Sequence, residues 1–147
     1  MQYKNILYPV GGSSELADEA RKHVAYLAQT TGARITLLFV EDKAAGWGGF
    51  VSASEEWKKI QDEWEKEGRK ILDAEEEKLK QLSVQNMEKI IRAGSVPDEV
   101  IAQAEEMNAD LIVLASQKKS PIGKLLMGSH TYNIFTKTPC PILRIVR

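Results

Sequence analysis

The stretch that leaves this chain fewest choices is residues 110–115, Asp-Leu-Ile-Val-Leu-Ala. Leu111, Ile112, Val113 and Leu114 form an apolar, partly β-branched run with no polar alternation, which is the pattern of a strand buried on both faces, as in a parallel sheet covered by helices. The run stops at small and polar residues, Ala115, Ser116, Gln117 and Lys118, and after an irregular connection Gly128-Ser129 opens a segment of helical period. A buried strand, a loop at its C-terminal end and a helix N-terminus follow in that order. Such a junction suits an anion, because the first N–H groups of a helix have no internal partner and the macrodipole places partial positive charge there. Gly128 lets the backbone come close, and the Ser129 hydroxyl can either cap the helix or bond a phosphate oxygen. Residue type alone leaves both roles open for Ser129.

The remainder of the chain repeats the alternation. Residues 5–10 are an apolar strand ending in Gly11-Gly12-Ser13-Ser14, and from Glu15 a helix carries Ala17, Ala20, His23, Val24, Leu27 and Ala28 on one stripe, with Asp18, Arg21 and Lys22 toward water. Thr31-Gly32 ends that helix, and residues 33–40 form a second strand. After a loop containing Ala44-Ala45-Gly46-Trp47-Gly48-Gly49, a long helix runs from Ser54 to about Leu82. Its apolar positions are Trp57, Ile60, Trp64, Ile71, Leu72, Leu79 and Leu82, and Glu and Lys fill its other faces, many in i,i+4 pairs. Trp57 and Trp64 are one heptad apart and face the same way, toward a sheet, a partner groove or a ligand site; Trp47 on its glycine-rich loop can cover a bound base or anchor the loop. A third strand at residues 88–93, a turn at Gly94-Ser95-Val96-Pro97, a helix from Asp98 burying Val100, Ile101, Ala104 and Met107, the fourth strand and a last strand at 141–146 complete the order.

Strands and helices in this alternation call for a parallel sheet with right-handed crossovers and helices on both faces. Ligands of such sheets bind at the carboxyl edge, where strand order reverses. The loops at residues 9–13, 40–42 and 115–119 should therefore converge, the first and third offering phosphate contacts and the second backbone groups to a base.

Composition narrows the function classes. The 147 residues, 43% of them hydrophobic, suit one domain with its own core and show no internal repeat or linker. Twenty Lys+Arg against 21 Asp+Glu leave a formal charge of -1, without the basic excess that nucleic-acid and acidic-membrane binders rely on. Neither a cleavable leader nor a membrane span of roughly 18 apolar residues is found, so a cytoplasmic location is expected. The single cysteine, Cys140, forms no intramolecular disulfide and reads as a small core residue beside the last strand rather than a reactive thiol. His23 has no second metal ligand at helical spacing, and Ser129 and His130, adjacent in sequence, send their side chains in different directions with no third group to orient the histidine. Carboxylates fall on solvated helix faces, and neither a metal cluster nor a catalytic constellation is expected.

The pieces taken together, Asn5-Ile-Leu-Tyr-Pro, the glycine-serine turn, a sheet-facing helix, Gly94 with Pro97 and Val100-Ile101, Ala109-Asp110-Leu-Ile-Val, Gly128-Ser129 and Pro139-Cys140-Pro141-Ile-Leu, resemble the universal stress protein family over essentially the whole chain. The resemblance implies one α/β domain over residues 1–147, a doubly wound sheet of five parallel strands in the order 3-2-1-4-5, and helices on both faces. It also implies a homodimer paired through residues 142–146, with Ile142 and Val146 at the ends of the contact, and an unidentified protein partner.

The ATP-binding branch of that family carries Gly, two residues, Gly, nine residues, then Gly-Ser or Gly-Thr. The spacing is kept here, with Lys119 to Met127 as the nine and Gly128-Ser129 as the final pair, but Ala115 and Lys118 stand at the first two glycines. Gly11 stands where that branch usually has an aspartate contacting the ribose end of the nucleotide. The resemblance therefore implies a site for ATP or another adenine nucleotide, with or without Mg, in which adenine lies near Pro9 and Val40 beside Val10 and Gly11. The phosphates would lie along Ala115, Gln117, Lys118, Gly128, Ser129, His130 and Thr131. Lys118 either fills the phosphate pocket or sets an ammonium against phosphate, with Lys119 and Lys124 nearby. The loop Gly11-Gly12-Ser13-Ser14 is a second possible phosphate nest. A nucleotide-responsive regulatory dimer, a nucleotide-independent dimerisation and protein-interaction module, and a slow ATP hydrolase are the three readings, in that order.

Overall fold

The computed structural model describes residues 2–11, 14–42, 55–115 and 129–146. Its elements, in chain order, are β1 (Asn5–Pro9), α1 (Ser14–Thr31), β2 (Arg34–Asp42), α2 (Glu55–Gln81), β3 (Met87–Gly94), α3 (Val96–Glu106), β4 (Leu111–Ala115), α4 (Ser129–Lys137) and β5 (Ile142–Ile145). All strand pairs are parallel, as the alternation of elements predicts, and the sheet order is β3-β2-β1-β4-β5, as the family resemblance implies. Successive residues of a strand point to opposite faces, so each strand feeds two cores. Ile6, Tyr8, Ile35 and Leu37 pack with Val24 of α1 and Leu72 and Leu79 of α2 on one face. Leu7, Leu38, Ile112 and Leu114 pack with Val100 and Ala104 of α3 and Ile134 of α4 on the other.

Two local features set where β1 and β4 run together and where they part. The Asp110 carboxylate accepts from the backbone N–H of Lys4 at 2.7 Å and of Asn5 at 2.8 Å, while the Asp110 N–H donates to the Asn5 carbonyl at 2.8 Å. That knot starts β1 and β4 side by side. Further along they separate: the described β1–β4 pairs are Ile6–Leu111 and Leu7–Ile112, whereas β1–β2 pairing continues to Pro9–Leu38 and β4–β5 pairing to Ala115–Ile145. Backbone N–H groups of a strand alternate between its two neighbours, and Val10 N–H donates to Leu38 of β2 at 2.8 Å. The N–H of Pro9 would have faced β4, and proline has none to give.

Several expectations for the helices are corrected. Arg21 does not face water: it is 7% exposed, and its Nε and Nη2 donate to the two carboxylate oxygens of Glu75, itself 5% exposed, on α2. Arg21 also donates to Asp18. His23 is exposed rather than at the core edge, and among the described side chains of α1 the buried ones are Leu16, Ala20, Arg21, Val24 and Ala25. The reason is the seat of α2, whose buried line runs Trp57, Gly68, Leu72, Glu75 and Leu79, leaving Ile60 and Leu82 more than a third exposed. Carboxylates are therefore not confined to solvated faces; Glu75 and Glu41 are buried. Gly68 is required by proximity, since a Cβ there would stand 2.5 Å from the Phe39 ring. Trp57 is buried and meets the half-buried Trp64 edge to face at 5.7 Å. β2 extends to Asp42, two residues past the expected Val40, because Glu41 and Asp42 pair with Ala93 and Gly94. Trp47 and its loop lie outside the described residues.

Burial beside Glu75 holds the Tyr8 phenol well above the usual tyrosine range. The folded-state value is the higher one, so the contribution of neutral Tyr8 to stability is complete below the unfolded value of about 10 and is lost as pH rises beyond it. In a spectrophotometric alkaline titration, one of the four tyrosines is expected to stay un-ionised until the protein unfolds. Tyr8→Phe should remove that late step; its persistence in the variant would refute the assignment.

Candidate functional site

The separation of β1 from β4 opens a cavity of about 320 Å³ at the carboxyl edge of the sheet. Pro9, Val10 and Gly11 line it from the end of β1, Leu38, Phe39 and Val40 from β2, and Leu114 and Ala115 from β4. Val96 and Val100 of α3 and Ile134 of α4 close it. Gly11 has φ +141°, a conformation that side chains rarely adopt, and a Cβ there would meet nothing within 4 Å, so the rim beside it is open.

Helices α3 and α4 each begin at this edge, but their ends differ. At α3 the donors are largely used: Pro97 has no N–H, Asp98 N–H donates to the Ser95 hydroxyl at 3.4 Å, and Glu99 N–H donates to the Ser95 carbonyl at 3.0 Å. Asp98 and Glu99 add negative charge to that turn. The α3 end therefore disfavours an anion. The α4 end begins at Ser129, with no acidic residue in its first turn, and its leading N–H groups lack intrahelical partners by construction. The two ends give the cavity a polarity, with an anion-tolerant side at α4 and an apolar, acid-flanked side at α3.

Of the residues singled out from sequence, the cavity gathers Pro9, Val10, Gly11, Val40 and Ala115. Ser129, His130 and Thr131 form the first turn of α4, with side chains outside the description, and Gln117, Lys118, Lys119, Lys124 and Gly128 lie outside the described residues, as do Gly12 and Ser13 of the alternative nest. Sequence reading missed Leu38, Phe39, Val96, Val100, Leu114 and Ile134 as cavity lining. Cys140 is half-buried just before β5, at the opposite edge of the sheet from the cavity, and burial pushes its thiol up, away from the reactive thiolate. Among the described residues no group of three or more His, Cys, Asp or Glu could hold a metal ion, and no helix is long and apolar enough to cross a membrane.

A parallel sheet with helices on both faces and a cleft at its carboxyl edge, at the switch point between β1 and β4, defines a doubly wound α/β domain. The model of the universal stress protein family matches residues 2–146, and the chain belongs to that family. It is 30% identical over 142 residues to universal stress protein G of Escherichia coli O157:H7, covering 96% of this chain and 97% of that protein. It is 27% identical over 141 residues to universal stress protein MJ0531 of Methanocaldococcus jannaschii, covering 96% and 81%. The solved structure of hypothetical protein MJ0577 superposes with a TM-score of 0.84 at 27% identity, covering 100% of this chain and 98% of that one. The same fold, at 18% identity, occurs in a universal stress protein in complex with cAMP (TM-score 0.73, coverage 99% and 98%) and in one from Archaeoglobus fulgidus in complex with dAMP (TM-score 0.68, coverage 99% and 99%).

Proposed function

We propose that this stress protein binds an adenine nucleotide in the cavity at the carboxyl edge and works as a nucleotide-responsive regulatory homodimer in the cytoplasm rather than as an enzyme. The observation that carries the reading is the cavity itself: apolar walls of a size for a base, opened by the parting of β1 and β4, with the α4 N-terminus at the same edge. The base would stack against the apolar wall of β2 and α3 near Pro9 and Val40, with Val10 and Gly11 at the ribose. The phosphates would run past Ala115, Gln117, Lys118, Gly128 and the α4 turn Ser129-His130-Thr131. Complexes of the same fold with cAMP and dAMP support a site of this kind. No carboxylate lines the cavity among the described residues, so a Mg ion would be carried by the phosphates rather than by the protein. Dimerisation is assigned to β5, an edge strand whose outer side is free to pair with a second copy in the described chain.

Calorimetric titration of the protein with MgATP, AMP and cyclic AMP, for wild type and Lys118→Gly, tests this. Micromolar binding, about -8 kcal/mol, is the expected wild-type result. Ala115, Lys118 and Gly11 at the changed motif positions favour the second reading, an interaction module that has lost its nucleotide. Binding by Lys118→Gly alone would establish the lysine as a plug and make that second reading the correct one. Silence from both proteins would remove the phosphate site altogether.

A further inference from the structure

The wall of the cavity formed by α3 is tied to the sheet by a side chain of β3. Arg92 of β3 is paired in register with Val40 of β2, and neighbours in a parallel ladder share a face, so Arg92 stands beside the cavity-lining Val40 on the side covered by α3. Its guanidinium spans two turns of that helix: Nε donates to Glu99 at 3.2 Å, and Nη1 donates to Gln103 at 3.1 Å and to Glu106 at 2.9 Å. Glu99, Gln103 and Glu106 fall at i, i+4 and i+7, one stripe of α3, and the same helix presents Val96 and Val100 to the cavity. Gly94 makes room for this arrangement, since a Cβ there would lie 3.0 Å from Cγ of Glu99. β3 is the edge strand, so no further strand braces α3 on that side in the described sheet.

We infer that Arg92 is a positioning residue that sets the width of the cavity between Val40 and the Val96–Val100 face of α3, and thereby the fit of the base. Only its ligand readout rests on the nucleotide reading above. An arginine is needed because a planar fork can serve three acceptors on one helix face, whereas a lysine ammonium offers a point charge on a flexible stem. Arg92 touches no ligand in this account; it acts through α3.

The test compares wild type, Arg92→Met and Arg92→Lys by amide hydrogen exchange of the unliganded proteins and by calorimetric titration with AMP. In Arg92→Met, exchange in the first two turns of α3 is expected to quicken about tenfold relative to β1 and β4, and AMP affinity to fall about tenfold. Arg92→Lys is expected to recover thermal stability but not affinity. A general loss of stability would quicken α3, β1 and β4 by one common factor, and that result overturns the inference. So does a loosened α3 with AMP affinity unchanged, or full recovery of affinity by lysine. If wild type binds no AMP, the nucleotide reading fails by itself, and the positioning role is decided by the exchange pattern alone: local quickening upholds it and uniform quickening rejects it.

Discussion

Arg21→Met is expected to lower the stability of the protein by about 3–5 kcal/mol, the cost of leaving one member of a buried ion pair behind. The carboxylate left behind is that of Glu75, whose side chain is 5% exposed and which receives two donors from the same guanidinium in the wild type. Methionine keeps the volume of the arginine stem and supplies no donor, so the loss is electrostatic rather than a cavity effect. The double variant Arg21→Met/Glu75→Leu should regain most of the loss, because replacing both partners with apolar groups removes the unpaired charge. Asp18→Ala, which takes away the exposed partner of Arg21, should cost far less than Arg21→Met. Urea unfolding of the four proteins decides the point. Arg21→Met unfolding within about 1 kcal/mol of wild type would mean that water already reaches the Arg21–Glu75 pair, contrary to its burial.

That ion pair also marks the limit of what periodicity can reveal. The five strands and the order of elements were legible because unbroken apolar runs such as Leu111 to Leu114, bounded by Gly and Pro, have few other solutions. Periodicity assigns a residue to a face of its own helix, but it does not say which other helix lies against that face. Arg21 and Glu75 are 54 positions apart, and each alone looks like part of a solvated charged stripe. Their meeting depends on α1 and α2 packing against the same face of the sheet. The extension of β2 through Glu41 and Asp42 was hidden for a similar reason, since acidic residues argue for a loop unless a partner strand is known to be there.

The site divides along the same line. Pro9, Val10, Gly11, Val40 and Ala115 could be singled out because they sit where strands end, and a parallel sheet puts all strand ends at one edge. Val96, Val100, Leu114 and Ile134 could not, because an apolar side chain that walls a cavity has the same signature as one that fills a core. One signal was present in the sequence: Pro9 closes an otherwise uninterrupted strand, and its missing N–H falls where β1 parts from β4.

Val96→Trp is expected to weaken nucleotide binding about 100-fold, or about 2.7 kcal/mol, while leaving the fold intact. Val96 is the first residue of α3 and half-buried, and it lines the cavity opposite Val40. An indole at this position has the adjoining cavity, of about 320 Å³, to occupy. The same change at Val100, fully buried against Leu38 and Ile112, would instead overpack the core and confuse loss of binding with loss of structure. Val96 therefore separates the two effects. Wild-type melting together with abolished binding would place the base between β2 and α3, and wild-type affinity in Val96→Trp would exclude that slot. Since the acid-flanked α3 end disfavours phosphate, a ligand still bound by the variant would be held at the α4 N-terminus or at the α1 N-terminus, and Ser14→Ala separates these, since it releases the ligand only in the second case.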